Sequence, residues 1–328
     1  MEPHVPATLK DAVVYYGNPE NCLNYLAAKR WSDGIVKCPT CGSASVNFMP
    51  RHQRWQCSSH HPRRQFSIKV GTIFEDSPIG LDKWLPAMWL ITNAKNGISS
   101  WEIHRALGVS QKTAWFMLHR IRLTHAPKAG GNKMWGQIEA DETFIGGKAR
   151  NMHPSVRTRK VTGTGGKDKT AVLGILERGK KGDSKVRVKV VPTTRKKALQ
   201  SEIRDHVLAG SAIFTDSLKS YEGLDEFQHE VVDHAVEYVR GEVVHTNGLE
   251  NFWSLLKRSL KGTYVSVEPF HLFRYLDEQA FRYNNRNDMT DADRFDLAVS
   301  QIVGRRIMYK ELTGKTEKAE TETQATPI

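Results

Sequence analysis

Long apolar runs are missing from this chain. The longest, Trp84–Ile91 (WLPAMWLI), is far short of the about 20 residues needed to cross a bilayer, and the amino terminus shows no basic-then-apolar signal pattern. A cytoplasmic protein with no membrane partner is therefore expected. Cysteine is scarce as well: four in 328 residues do not make a disulfide framework. Nor is there any acidic excess. Lys and Arg total 48 against 36 Asp and Glu, for a formal net charge of +12, and a surface of that sign suits a polyanion such as nucleic acid. The closing segment 313–328, TGKTEKAETETQATPI, lacks apolar anchors and is expected to be disordered.

Three of the four cysteines crowd into KCPTCGSASVNFMPRHQRWQCSSHH (37–61), as Cys38-x2-Cys41, then fifteen residues, then Cys57-x2-His60. Two thiolate-bearing turns with two-residue spacers present four soft N and S donors to a tetrahedral ion. A closed four-ligand site of that kind is structural. The expectation is one zinc on Cys38, Cys41, Cys57 and His60, with His61 competing for the fourth position and SVNFMPRHQRWQC forming a hairpin between the turns. Cys22 lies in a helical pattern and reads as a core thiol.

Residues 81–122 carry apolar positions at helical spacing in three blocks, broken at Asn96-Gly97 and at Gly108-Val109-Ser110. The second and third blocks read as helix, glycine turn, helix, with Ser110 as N-cap. That is the helix-turn-helix pattern. Gln111, Lys112 and Thr113 would stand at the start of its second helix, where DNA base edges are read.

After APKAGGNK (126–133) the sequence turns to strands: MWGQIEADETFIGG, TAVLGILERG (170–179) and KVRVKVVP (185–192), then the helical TTRKKALQSEIRDHVLAG and the strand of SAIFTDSLKSYEGL (211–224). Three strands, a helix and a fourth strand give the order of a ribonuclease-H-like α/β core. A basic, glycine-rich loop (148–169) separates the first two strands. IEADETFIGG (138–147) carries Glu139, Asp141 and Glu142; in a strand the first two share a face, and Glu142 should point away. Asp216 ends the fourth strand, where α/β sheets place ligands. Glu250 falls in the first turn of a helix following VVHTNG, and Lys257, seven residues on, shares its face. Asp141, Asp216 and Glu250 would meet at one sheet edge and hold magnesium, a hard cation suited to carboxylate oxygens and to phosphodiester chemistry.

Taken in order, CPTCG, GTIFEDSPIGLDKW (71–84), IEADETFIGG, FTDSLKSY (214–221), VHTNGLENFWSLLKRSLKGTY (244–264) and HLFRYLDEQAFRYNNR (271–286) resemble the zinc-ribbon DDE transposases of bacterial insertion sequences, in the branch related to the Merlin transposons. The resemblance spans roughly residues 15–310. It implies an α/β, ribonuclease-H-like catalytic core (134–290) preceded by a helical segment (1–35), a zinc ribbon (36–70) and a helix-turn-helix unit (80–125), and followed by a helical segment (291–312). It implies catalysis by Asp141, Asp216 and Glu250, with Asn247 and Asn251 as rivals for the third position and Lys257 as a DNA contact beside it. His245 and Asn247 would touch DNA or orient Glu250. Magnesium or manganese would serve the acids, terminal inverted repeats and target DNA would be the partners, and a homo-oligomer is expected because two ends must be joined together.

Overall fold

The computed structural model describes residues 5–127, 130–147, 153–155, 158, 169–180, 183–232 and 246–314. The chain divides into two compact units, 1–125 with 289–328 and 126–288. Among the described residues, no helix is long and apolar enough to cross a membrane.

The first unit opens with helices α1 (Leu9–Tyr16) and α2 (Pro19–Arg30), each begun by a side-chain cap: Thr8 accepts from the Asp11 amide and Asn18 from the Glu20 amide. Strands β1 (Val46–Met49), β2 (Arg54–Cys57) and β3 (Gln65–Phe66) then form a small antiparallel sheet. The expected hairpin is its first pair, and Gln53, at φ 47°, closes the connection. Trp55 is nearly buried and packs against Trp31, Phe48 and Phe66, so this small sheet has an aromatic centre of its own.

Three helices follow: α3 (Leu81–Asn93), α4 (Ser100–Leu107) and α5 (Gln111–His125). The sequence breaks correspond to real ends. Ser99 and Glu102 form a reciprocal capping box on α4, Gly108 ends it at φ 60°, and Ser110 Oγ accepts from the Thr113 amide at the start of α5.

The second unit is built on five strands: β4 (Gln137–Ile145), β5 (Thr170–Glu177), β6 (Lys185–Val191), β7 (Ala212–Asp216) and β8 (Gln228–Val232), with helix α6 (Lys196–His206) between β6 and β7. Their order across the sheet is β6-β5-β4-β7-β8. β4, β5 and β6 are antiparallel, while β7 and β8 run parallel to β4. β8 is the strand that sequence reading did not anticipate; QHEVV is short, largely polar and mostly exposed, as an edge strand should be.

Helices α7 (Asn247–Arg258) and α8 (Leu272–Asn284) complete this unit, α7 against β4 and β5 and α8 against β6. Leu249, Phe252, Trp253 and Leu256 of α7 bury the i, i+3, i+4, i+7 stripe of an amphipathic helix into one core with Val172, Leu176 and Val186. The other face of the sheet packs Ile138, Ala140, Leu173 and Ile175 with Leu199 and Ile203 of α6. Residues 243–245, which precede α7 in the sequence, lie outside the described residues.

The chain then returns to its first unit. Helix α9 (Asp291–Val299) places Phe295 fully buried among Tyr16, Tyr25 and Trp89, and Asp296 accepts from Tyr25 at 2.9 Å and pairs with Lys29. These partners lie some 200 to 280 residues away in sequence, at roughly residues 16 to 89.

Candidate active site and metal centre

The ribbon gathers Cys38, Cys41, Cys57 and His61, whose donor atoms all lie within 4.8 Å of one another. The expectation of His60 as fourth ligand is corrected here: His60 is exposed and outside the group, and its neighbour takes the place. The reason is local. The chain leaves β2 at Cys57 in an irregular turn, so a two-residue spacer does not bring the fourth donor inward and a three-residue spacer does.

The donor set fits zinc. Bonds of about 2.3 Å to sulfur and 2.05 Å to nitrogen at tetrahedral angles require edges of about 3.8 Å (S to S) and 3.6 Å (S to N). Cys41 Sγ lies 3.6 Å from Cys57 Sγ, and Cys38 Sγ lies 3.4 Å from His61 Nε2. Desolvation raises the Cys57 thiol, but hydrogen bonds from His61, Ser59 and Cys41 outweigh it and bring the pKa down to about 6, toward the thiolate that zinc requires. Cys22 is buried and apart from this group, its thiol donating to the Tyr16 carbonyl.

The second cluster sits where β7 stops beside β4. The two strands are in register from Gln137↔Ala212 to Ala140↔Thr215, so Asp216, the last residue of β7, comes level with Asp141. Carboxylate oxygens of Asp141, Glu142 and Asp216 lie within 4.8 Å of one another. Glu142 was expected to point away; it does leave β4 on the opposite face from Asp141. But β4 runs on past the end of β7, and its side chain reaches round that open end toward Asp216. One of its oxygens, Oε1, is buried and meets no hydrogen-bond partner among the described residues.

Burial shapes this site's charge. Desolvation, opposed by a hydrogen bond from Trp253 and aided by the charges of Asp216 and Glu250, raises the Asp141 carboxyl to about 6. Desolvation likewise raises Glu142 to about 7, opposed by the Tyr221 hydroxyl and aided by Asp216 and Asp141. Two carboxyls raised in this way, with the oxygens of Asp216 beside them, form a donor set suited to a hard divalent cation.

These shifts fix the sign of a pH effect. Both folded pKa values exceed the ordinary ones, so the folded chain binds more protons between about pH 4 and pH 7 and loses stability as pH rises through that window. Without added divalent metal, Asp141→Asn/Glu142→Gln should therefore gain on the natural chain between pH 5 and pH 8, by on the order of 3 kcal/mol. Urea denaturation at the two pH values checks this; a constant difference would refute it.

Trp253 reaches Asp141 because of a glycine. Gly174 pairs with Asp141 across β4 and β5, and a Cβ there would stand 2.6 Å from the Trp253 ring. The bare backbone lets the indole approach β5 closely and donate Nε1–H to Asp141 Oδ2 at 2.9 Å. In the sequence, Trp253 is indistinguishable from the packing aromatics around it.

The remaining expected residues are scattered. Glu250 is in the first turn of α7, exposed and outside the three-carboxylate group, although its charge is felt at Asp141. Lys257 is in the last turn of α7, partly buried; Asn247 and Asn251 are exposed on the same helix. His245 lies outside the described residues. In the first unit Gln111 donates to Ser100 Oγ at 2.8 Å, the Lys112 ammonium lies 4.8 Å from the Tyr309 ring centre, and Thr113 shares a 2.8 Å hydrogen bond with Ser110. Glu139, on the same face of β4 as Asp141, is 1% exposed and paired with Arg178.

Both ligand groups fall within regions, or at the edge of regions, that are similar to known protein families. Residues 17–61 match the transposase zinc-ribbon domain and residues 133–284 the ISXO2-like transposase domain. The chain is 30% identical over 251 residues to an uncharacterized protein in transposable element ISH50 of Halobacterium salinarum, covering 72% of this chain and 81% of that one. It is 34% identical over 103 residues to an uncharacterized transposase-like protein of Haemophilus influenzae, covering 31% of this chain and 82% of that one. No solved structure matches. The chain belongs to the zinc-ribbon DDE transposases of insertion sequences.

Proposed function

We propose that the protein is the DNA transposase of an insertion sequence: it binds terminal inverted repeats, cuts the strand at the element's end and joins the freed 3′-hydroxyl to target DNA. The observation that carries this reading is the convergence of Asp141, Glu142 and Asp216 within 4.8 Å at the end of β7, inside the region that matches a transposase domain. The strand order β6-β5-β4-β7-β8, with three antiparallel strands and two more parallel to β4, supports a ribonuclease-H-like core.

In this reading Asp141 and Asp216 hold the divalent cations, with Glu142 beside them and Glu250 supplying the third acid from α7. Bound magnesium or manganese would supply Lewis acidity at the scissile phosphate and lower the pKa of attacking water. Trp253 fixes the orientation of Asp141 by occupying one of its oxygens. Lys257, two turns along α7 from Glu250, offers a cation to the phosphate backbone. In the first unit, α4 and α5 would act as the helix-turn-helix that selects the terminal repeat, through Gln111, Lys112 and Thr113. The zinc would be structural, and two chains or more would be needed to hold both ends.

A labelled terminal repeat incubated with protein, magnesium and a supercoiled plasmid tests the proposal. Nicking at the element's end followed by transfer of label to the plasmid is expected. Nicking without transfer would instead mark a nuclease, and binding with neither would mark a zinc-containing regulator.

A further inference from the structure

The three acids of the proposed site ride on three different elements: Asp141 on β4, Asp216 on β7 and Glu250 on α7. One buried ion pair touches all three elements. Glu139, two residues before Asp141 and on the same face, is 1% exposed, and Arg178 Nε donates to its Oε1 at 2.7 Å. Its other oxygen accepts from the Leu249 amide in the first turn of α7 at 2.9 Å. The Arg178 guanidinium also lies 4.4 Å from the ring centre of Phe214, two residues before Asp216. In register, Phe214 is the β7 residue opposite Glu139.

α7 is docked through this carboxylate rather than through a cap of its own. Its N-cap, Thr246, makes no side-chain capping bond, and the acceptor comes from the strand beneath. A negative charge there also opposes the positive end of the helix dipole. Gly248 makes the approach feasible, because a Cβ at that position would come within 2.9 Å of Glu139 Oε2. The neighbouring residue on the helix is Glu250's predecessor, so the hydrogen bond at Leu249 sets where the first turn, and with it the third acid, stands above Asp141. The second contact of α7 with this face, Trp253 to Asp141, lies one turn further on.

We infer that Glu139 and Arg178 are positioning residues: their ion pair fixes the first turn of α7 relative to β4 and β7, and so fixes Glu250 relative to Asp141 and Asp216. The inference rests on the transposase reading for its consequence in catalysis, but its geometric part stands apart from it. The role inferred for them is to hold α7 on the sheet rather than to bind DNA or metal. Their effect is on how well the acids are placed to share cations.

Three variants of the full zinc-loaded chain test this: Glu139→Gln, Arg178→Lys, and the uncharged pair Glu139→Gln/Arg178→Met, which leaves no buried charge unmatched. Two readouts are taken. The first is the magnesium concentration for half-maximal nicking of a terminal-repeat DNA. The second is hydrogen exchange of the segment 246–253 without added magnesium. Glu139→Gln and the uncharged pair should both need about tenfold more magnesium or more, with α7's first turn exchanging faster and DNA affinity in the absence of divalent metal unchanged. Arg178→Lys, which keeps the charge, should recover part of both.

If the uncharged pair folds and keeps the natural magnesium requirement and exchange rate, the inference is overturned. Loss of folding in all three variants overturns it too, since the pair would then be a general element of the core. A natural chain that never nicks would sink the transposase reading alone. The exchange of 246–253 in the variants would still decide whether the pair holds α7.

Discussion

Asp141→Asn and Asp216→Asn should each reduce magnesium-dependent cleavage and strand transfer by on the order of a thousandfold or more, while folding and DNA binding persist. The amide keeps the shape of the carboxyl and removes the charge that attracts a cation. It also removes a charge that the fold holds at a cost, since desolvation already raises the Asp141 carboxyl to about 6. Stability should thus be kept or improved, and affinity for DNA should rise slightly because one fewer anion faces the phosphate. The same assay ranks the other acids. Glu250→Gln should be as damaging as either aspartate change if α7 supplies the third ligand; Glu142→Gln should match it if the three-carboxylate group is itself the binding set. Asn247→Ala should cost less than either. Near-normal nicking by both aspartate variants would defeat the proposed chemistry, and full activity in Glu250→Gln with loss in Asn247→Ala or Asn251→Ala would move the third position to an asparagine.

Removing the zinc should have the second largest effect. Structural zinc in isolated fingers contributes about 10–16 kcal/mol of apparent binding energy, and most of it is folding energy. In this chain the aromatic group around Trp55 supplies some cohesion without metal, so the turns that carry the ligands should unfold before the β1–β2 hairpin does. Cys57→Ser and His61→Ala should lower zinc content well below one ion per chain and expose the 38–42 and 57–64 segments to protease. His60→Ala should leave both unchanged. The reverse pattern, zinc lost with His60 and kept with His61, would restore the two-residue spacing as the correct one.

The three cysteines of the ribbon, the helix breaks at Gly108 and Ser110, the strand run through Asp141 and the acid at the end of the fourth strand were all legible in the sequence. Each rests on local signals: short ligand spacers, caps, apolar periodicity and turn residues act over fewer than ten positions or so. Those local rules determined the number and kind of most elements, the cysteine cluster and the identity of two of the acids.

What they could not determine is which side chains meet across distance. Glu142 comes to Asp216 because β7 stops one residue beyond its pairing with Ala140 and leaves an open end, which no strand alternation reveals. Trp253 becomes a partner of Asp141 because Gly174 on a third element has no side chain. Glu139 is a buried ligand for α7 rather than a surface acid because Arg178, 39 residues later, lies beneath the same helix end. The choice of His61 over His60 turned on the path of one irregular turn. In the first three cases the deciding quantity is a contact between elements far apart in sequence, set by packing and burial, to which a local reading is blind.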